Sequence, residues 1–149
     1  MVVAAHQVKK LMHLCFLMER KYAPYTKWFG TGFAELECAS ELGPIFRDVL
    51  LSLTWKERES NLARAYRVIA RMHNALKITP PIVEDVQVYY GRPYLVFEPP
   101  DLIRDILNNF TDEQVKAIKH GLGSVNQFVD STNQLSNNGL LQMLKAVYE

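Results

Sequence analysis

Residues 19–28 read Glu19-Arg20-Lys21-Tyr22-Ala23-Pro24-Tyr25-Thr26-Lys27-Trp28. Three cations, two tyrosines and a tryptophan gather around one proline. Such a mixture can hold a flat or anionic ligand, because cations meet phosphate or carboxylate and rings stack on bases or sugars. The same residues also suit a plain helix corner. There Tyr22, Tyr25 and Trp28 pack between helices while Arg20, Lys21 and Lys27 are solvated.

A second cationic feature is Arg64, Arg67 and Arg71, spaced i, i+3, i+7. On a helix they form one ridge, suited to phosphate, an RNA backbone or an acidic partner. The plainer reading is a solvated face paired with Glu57, Glu59 and other acids. His73 lies in the apolar stripe of the same helix, followed by Asn74. It is either a satisfied core histidine or part of a pocket wall.

Other patterns are weaker. Arg67 and His73 fit the Arg-x(4–6)-His spacing of small helical nucleases, but the helical wheel puts them on opposite sides. His6 and His13 sit about 10 Å apart along a helix, too far to share one ion, so no metal site is expected. Gly121-Leu122-Gly123-Ser124 with Asp130 is similar to the Gly-Ser turn and acid pair of nucleotidyltransferases. Magnesium chemistry needs a second carboxylate, and Thr132 stands in its place. No P-loop or nucleophile–base pair is readable.

Periodicity predicts the elements that carry these residues. Helix one spans about 2–21, with Val8, Leu11, Cys15, Met18 and Tyr22 on one side, and Ala23-Pro24 breaks it. Helix two starts near Pro24, with Tyr25, Phe29, Gly32 and Leu36 on one face, and Gly30 and Gly32 admitting another backbone. Helix three spans about 42–53, with Ile45, Phe46, Val49 and Leu50 inward. Helix four, about 55–76, follows the capping box Thr54–Glu57, with Leu62, Tyr66, Ile69, His73 and Leu76 on one face. Strands at 86–90 and 94–97 flank Gly91-Arg92-Pro93 as a small hairpin. Short helices are expected at 101–109, at 112–120 behind Thr111–Gln114, after Ser124, and at 139–148. The fold class is therefore mainly α: a bundle of about four longer helices, then a small β-hairpin and short C-terminal helices. One domain over 1–149 divides into a core bundle (1–77) and the hairpin with short helices (78–149).

Composition supports a globular chain, 48% hydrophobic and 22% charged, with net charge +1. Charge is uneven: twelve basic and seven acidic residues through Lys77, then five and nine. The first half can attract anions that the second would not. Two cysteines are too few for a disulfide framework and point to reduced thiols and a cytoplasmic protein. No membrane segment is expected, since the apolar run 11–18 is too short and contains His13.

The run from Leu11 to Thr31, Leu-Met-His-Leu-Cys-Phe-Leu-Met-Glu-Arg-Lys-Tyr-Ala-Pro-Tyr-Thr-Lys-Trp-Phe-Gly-Thr, resembles the signature of an uncharacterised bacterial and archaeal domain family. Its members usually form the C-terminal part of proteins assigned to the polymerase-beta superfamily of nucleotidyltransferases. Residues 70–76 and 123–132 resemble its later blocks, in the expected order. The resemblance implies a helical domain on the acceptor-substrate side of a nucleotidyl-transferring cleft. It implies as partner an N-terminal nucleotidyltransferase domain, in cis or in trans. Magnesium (Mg) and a nucleoside triphosphate are implied for the parent enzyme, not for this chain, which lacks the catalytic acid pair. The expected ligand-binding set is Arg20, Tyr22, Tyr25, Lys27, Trp28, Arg71, His73 and Asn74, taking a small molecule or nucleotide. A fragment of a longer protein and a stand-alone copy both fit. Apolar surface left by a missing domain makes a homodimer a further expectation. The alternatives are a non-catalytic RNA- or protein-interaction module, and a small helical ribonuclease built on Arg67 and His73.

Overall fold

The computed structural model describes residues 2–99, 101–117 and 136–145. Helix α1 runs Val2–Met18 and buries Ala4, Val8, Leu11, Cys15, Phe16 and Met18. It stops three residues before the sequence predicts. Arg20 adopts a left-handed φ of 55°. Its N–H donates to the Leu17 carbonyl (3.0 Å) and the Lys21 N–H to that of Phe16 (2.9 Å). This is a Schellman closure, which satisfies carbonyls that the helix end leaves free. Tyr22 therefore leaves the apolar face and is 91% exposed.

The corner that follows also differs from expectation. Pro24 does not open a helix. Residues 21–25 are irregular, and a 3-10 turn at Thr26–Trp28 leads into α2, Phe29–Ala34. Pro24 instead packs over Gly32, where an added Cβ would lie 2.7 Å from Pro24 Cγ and 3.5 Å from Phe16 Cζ. The close approach expected at Gly32 is present, but it admits a ring rather than a backbone. A Cβ on Gly30 meets nothing within 4 Å. Gly32→Ala should therefore lose about 1–3 kcal/mol through overpacking. Gly30→Ala should be neutral or gain up to about 1 kcal/mol from helix propensity. Thermal melts of the two variants check this, and equal losses would contradict it.

Helix α3, Ala39–Leu51, buries Leu42, Ile45, Phe46 and Val49. Helix α4, Trp55–Leu76, has the predicted bounds and the complete Thr54–Glu57 capping box. It buries Ala63, Ala65, Val68, Ile69 and Ala70, with Leu62, Tyr66, Met72 and Leu76 partly covered. Ion pairs Asp48–Arg64 and Glu41–Arg71 run in opposite chain order, so α3 and α4 are antiparallel. Helix α1 packs on both, and Leu42, Val49 and Cys15 are the most deeply buried large side chains.

Strands β1 (Gln87–Val88) and β2 (Leu95–Val96) pair antiparallel, Gln87 with Val96 and Val88 with Leu95. The turn between them has positive φ at Tyr90 and Gly91, and the Arg92 N–H donates to the Tyr89 carbonyl (2.8 Å). Two consecutive positive φ values match the right-handed twist of a hairpin. Helix α5, Leu102–Asn108, is capped by Asp101, and Asn109 donates from Nδ2 to the Ile78 carbonyl at 2.7 Å.

The chain divides into two compact units, Met1–Asn109 and Phe110–Glu149. The hairpin and α5 thus belong to the unit that contains the bundle. In the second unit, α6 (Glu113–Lys116) is capped by Asp112, one residue after the predicted Thr111. Helix α7, Asn138–Leu144, is capped by Asn137. The end of the helix predicted to reach His120, the Gly121–Ser124 turn, Asp130, Thr132 and the helix after Ser124 lie outside the described residues.

Candidate functional site

The corner between α1 and α2 is built on a rigid base. Glu19, whose side chain is 12% exposed, sits just after α1. Its carboxylate accepts the backbone N–H groups of Glu37 and Cys38, both at 2.9 Å. Burial alone would raise the Glu19 carboxyl. The hydrogen bonds from Cys38 and Glu37, with the Lys21 charge 3.5 Å away, outweigh it and hold the group below its usual value. Lys21 also donates to the Glu35 carbonyl at 3.3 Å. One acid thus ties the end of α1 to the start of α3.

Beneath this tie lie the two thiols. Cys15 is fully buried, and desolvation pushes it up to about 11 despite its hydrogen bond with Cys38. Desolvation, reinforced by Glu19, raises Cys38 as well. Both are free thiols, protonated at neutral pH and poor nucleophiles.

On this base the predicted ligand residues stand in solvent. Arg20, Tyr22, Tyr25, Lys27 and Trp28 are all exposed, with Tyr25 at 48% and Trp28 at 52%. Lys27 Nζ lies 5.7 Å from the centre of the Trp28 ring, a cation–π distance. The packing role between helices goes instead to Phe29, which stacks on His13 (4.4 Å) and Phe16 (5.5 Å).

Residues 1–29 match a family model described as a domain of unknown function, DUF4037. No curated protein and no solved structure matches the chain. The DUF4037 match covers about a fifth of the chain, taking in α1 and the corner as far as Phe29. In that segment the chain is similar to an uncharacterised domain family.

The remaining predicted site residues lie at the same end of the bundle, because Glu19 and Arg71 both reach the start of α3. Their polar atoms are engaged within the domain. Arg71 Nη2 donates to both carboxylate oxygens of Glu41, at 2.6 and 2.7 Å, and that hydrogen bond and charge raise the guanidinium above its usual value. His73 Nε2 meets Thr79 Oγ1 at 2.7 Å. Asn74 bonds both backbone groups of Ile82, and Glu84.

The arginine ridge is also paired within the domain. Arg64 meets Asp48 at 3.1 Å, and Arg67 meets Asp85 at 2.8 Å. Asp85 is held below its usual value by the Val86 N–H and then by Arg67. The partners come from α3 and from the segment after α4, rather than from Glu57 and Glu59. Glu57 is spent on the α4 cap, where the Thr54 N–H lowers its pKa.

Among the described residues, no three His, Cys, Asp or Glu side chains converge as a metal site. No helix among them is long and apolar enough to cross a membrane.

Proposed function

We propose that the first unit is a helical substrate-binding or accessory domain, whose ligand surface is the corner between α1 and α2. In the fuller form of this reading it serves a nucleotidyltransferase. Magnesium and catalysis then belong to a separate N-terminal domain, in cis or in trans. The observation that carries the reading is the exposed cluster of Arg20, Tyr22, Tyr25, Lys27 and Trp28 on a backbone that Glu19 and the Schellman closure hold fixed. Preorganisation lowers the entropy lost when a ligand docks.

Arg20 adds weight to this. Glycine would adopt its left-handed φ at less cost. The chain spends that position on a long exposed cation. Arg20 and Lys27 would meet the anionic groups of a nucleotide or similar small molecule, while Trp28 and Tyr25 offer ring faces. The ion pairs of Arg64, Arg67 and Arg71 count against the RNA-binding ridge, and the separate engagements of Arg67 and His73 count against the ribonuclease reading.

Isothermal titration with nucleoside triphosphates and aminoglycosides tests the proposal. Lys27→Ala and Trp28→Ala should each weaken binding by about fivefold to tenfold, from a lost charge or a lost stacking face. Their melting temperatures should stay near the wild type, because both side chains are exposed. Equal affinity in all three proteins, or no binding of either ligand class, would falsify it.

A further inference from the structure

Helices α1, α2 and α3 border an apolar groove of about 610 Å³. Sites for small molecules typically run from about 300 to 1,000 Å³. Val8, Phe33 and Phe46, all buried, form its floor, with the two rings 5.6 Å apart. Met12 and Leu50, partly buried, and Leu51, 70% exposed, form its sides.

Gly43 and Arg47 complete the lining. With Leu51 they are spaced i, i+4 and i+8, so the three share one face of α3. Glycine weakens a helix interior relative to alanine. Nothing within the domain requires it at this position: its φ is not positive, and a Cβ there would meet nothing within 4 Å. What Gly43 does is let an occupant of the groove approach the backbone closely.

Arg47 is the one polar side chain in the lining. It is exposed and forms no hydrogen bond or ion pair among the described residues. The other charges of α3 are committed to α4, Glu41 to Arg71 and Asp48 to Arg64. Helical side chains lean toward the N-terminus, and Arg47 accordingly borders a second concavity with Gly43, Pro44 and Asp48. Its cation thus lies toward the Gly43 end of the groove, and the apolar lining runs on toward Leu50 and Leu51.

We propose that this groove binds a medium-chain carboxylate, with its head on Arg47 beside Gly43 and its alkyl chain over Phe33, Phe46 and Leu50. A polar group of the occupant meets only the Arg47 guanidinium, since the rest of the lining is apolar. The guanidinium fork matches the two oxygens of a carboxylate, and a bond between two charged partners is roughly twice as strong as a neutral one. From Gly43 to Leu51 the helix rises about 12 Å, enough for an extended chain of about eight carbons. The inference stands apart from the nucleotidyltransferase reading, because none of the corner's ligand residues lines the groove.

Met12, one of five methionines, reports on the groove. In the full chain labelled with methyl-13C methionine, its NMR signal is the one lost in Met12→Leu. Octanoate, octan-1-ol and octylamine are each titrated against that signal. Octanoate, with about ten heavy atoms, should shift it saturably with a Kd in about the millimolar range. Octan-1-ol should bind about fivefold more weakly, and octylamine should give no saturable shift. Arg47→Gln should weaken octanoate about fivefold and leave octan-1-ol unchanged. Gly43→Leu fills the groove with a better helix former and should abolish binding in protein that circular dichroism shows to be folded. No saturable Met12 shift with octanoate would overturn the proposal. So would octan-1-ol or octylamine binding as tightly as octanoate, or undiminished octanoate binding by Arg47→Gln or by folded Gly43→Leu. Met12 shifts that grow with protein concentration before any ligand is added would overturn it too, since they put a second copy of the chain on the groove.

Discussion

Glu19→Ala should lower the stability of the first unit by about 2–4 kcal/mol, from losing two charge-assisted bonds and leaving the Cys38 N–H part-buried without a partner. The carboxylate joins the end of α1 to the segment opening α3, and it is 12% exposed. Glu19→Gln should lose less, because one amide oxygen still accepts while the NH₂ faces the second N–H donor. The pH dependence follows from the lowered carboxyl. Its stabilising effect is fully present above its usual value of 4.5 and fades as pH falls through the folded-state value. Wild type should therefore lose stability below that value, and Glu19→Ala should show a shallower acid limb. Urea unfolding at about pH 7 and about pH 2 measures both effects. Parallel curves at both pH values would mean that the carboxylate does not hold the two helices together.

That tie also explains which elements the sequence could and could not disclose. The bounds of α4 were readable because both ends carry local signals: the Thr54–Glu57 box at one and Thr79-Pro80-Pro81 beyond the other. The end of α1 was not readable, because its Schellman closure uses Arg20 where a glycine would have marked it. Every residue after that point shifts with it. Tyr22 falls off the apolar wheel, and Pro24 becomes a packing ring instead of a helix start. The early start of α3 depends on Glu19, eighteen residues before the N–H of Glu37 that it accepts. No local pattern encodes such a bond. The arginine ridge was legible as a face, but Asp48, Asp85 and Glu41 become its partners only once α4 lies antiparallel to α3 and the following segment returns. A cavity walled by residues 3–7, 55–66 and 86–95 was hidden for the same reason, since these segments meet only in the fold. The exposure of the corner cations, by contrast, follows from their types and needs no long-range contact.

Asn74 separates a structural role from a ligand role most sharply. The sequence places it at a pocket wall beside His73. In the structure Asn74 Oδ1 accepts the Ile82 N–H at 2.8 Å, and Nδ2 donates to the Ile82 carbonyl at 2.9 Å and to Glu84 at 2.8 Å. Ile82 is buried, so both of its backbone groups depend on this one side chain. Asn74→Ala leaves a donor and an acceptor unmatched together, which should cost about 2–3 kcal/mol. Asn74→Asp keeps the bond from the Ile82 N–H but removes both donated bonds and sets a second carboxylate against Glu84. It should be at least as damaging at neutral pH and should recover when the carboxylates are protonated in acid. Neither change touches the corner. In protein kept below its lowered melting point, Asn74→Ala should therefore bind nucleoside triphosphate as tightly as wild type. The opposite pattern, an unchanged melt with weakened ligand binding, would return Asn74 to the pocket wall and move the ligand surface from the α1–α2 corner to the end of α4.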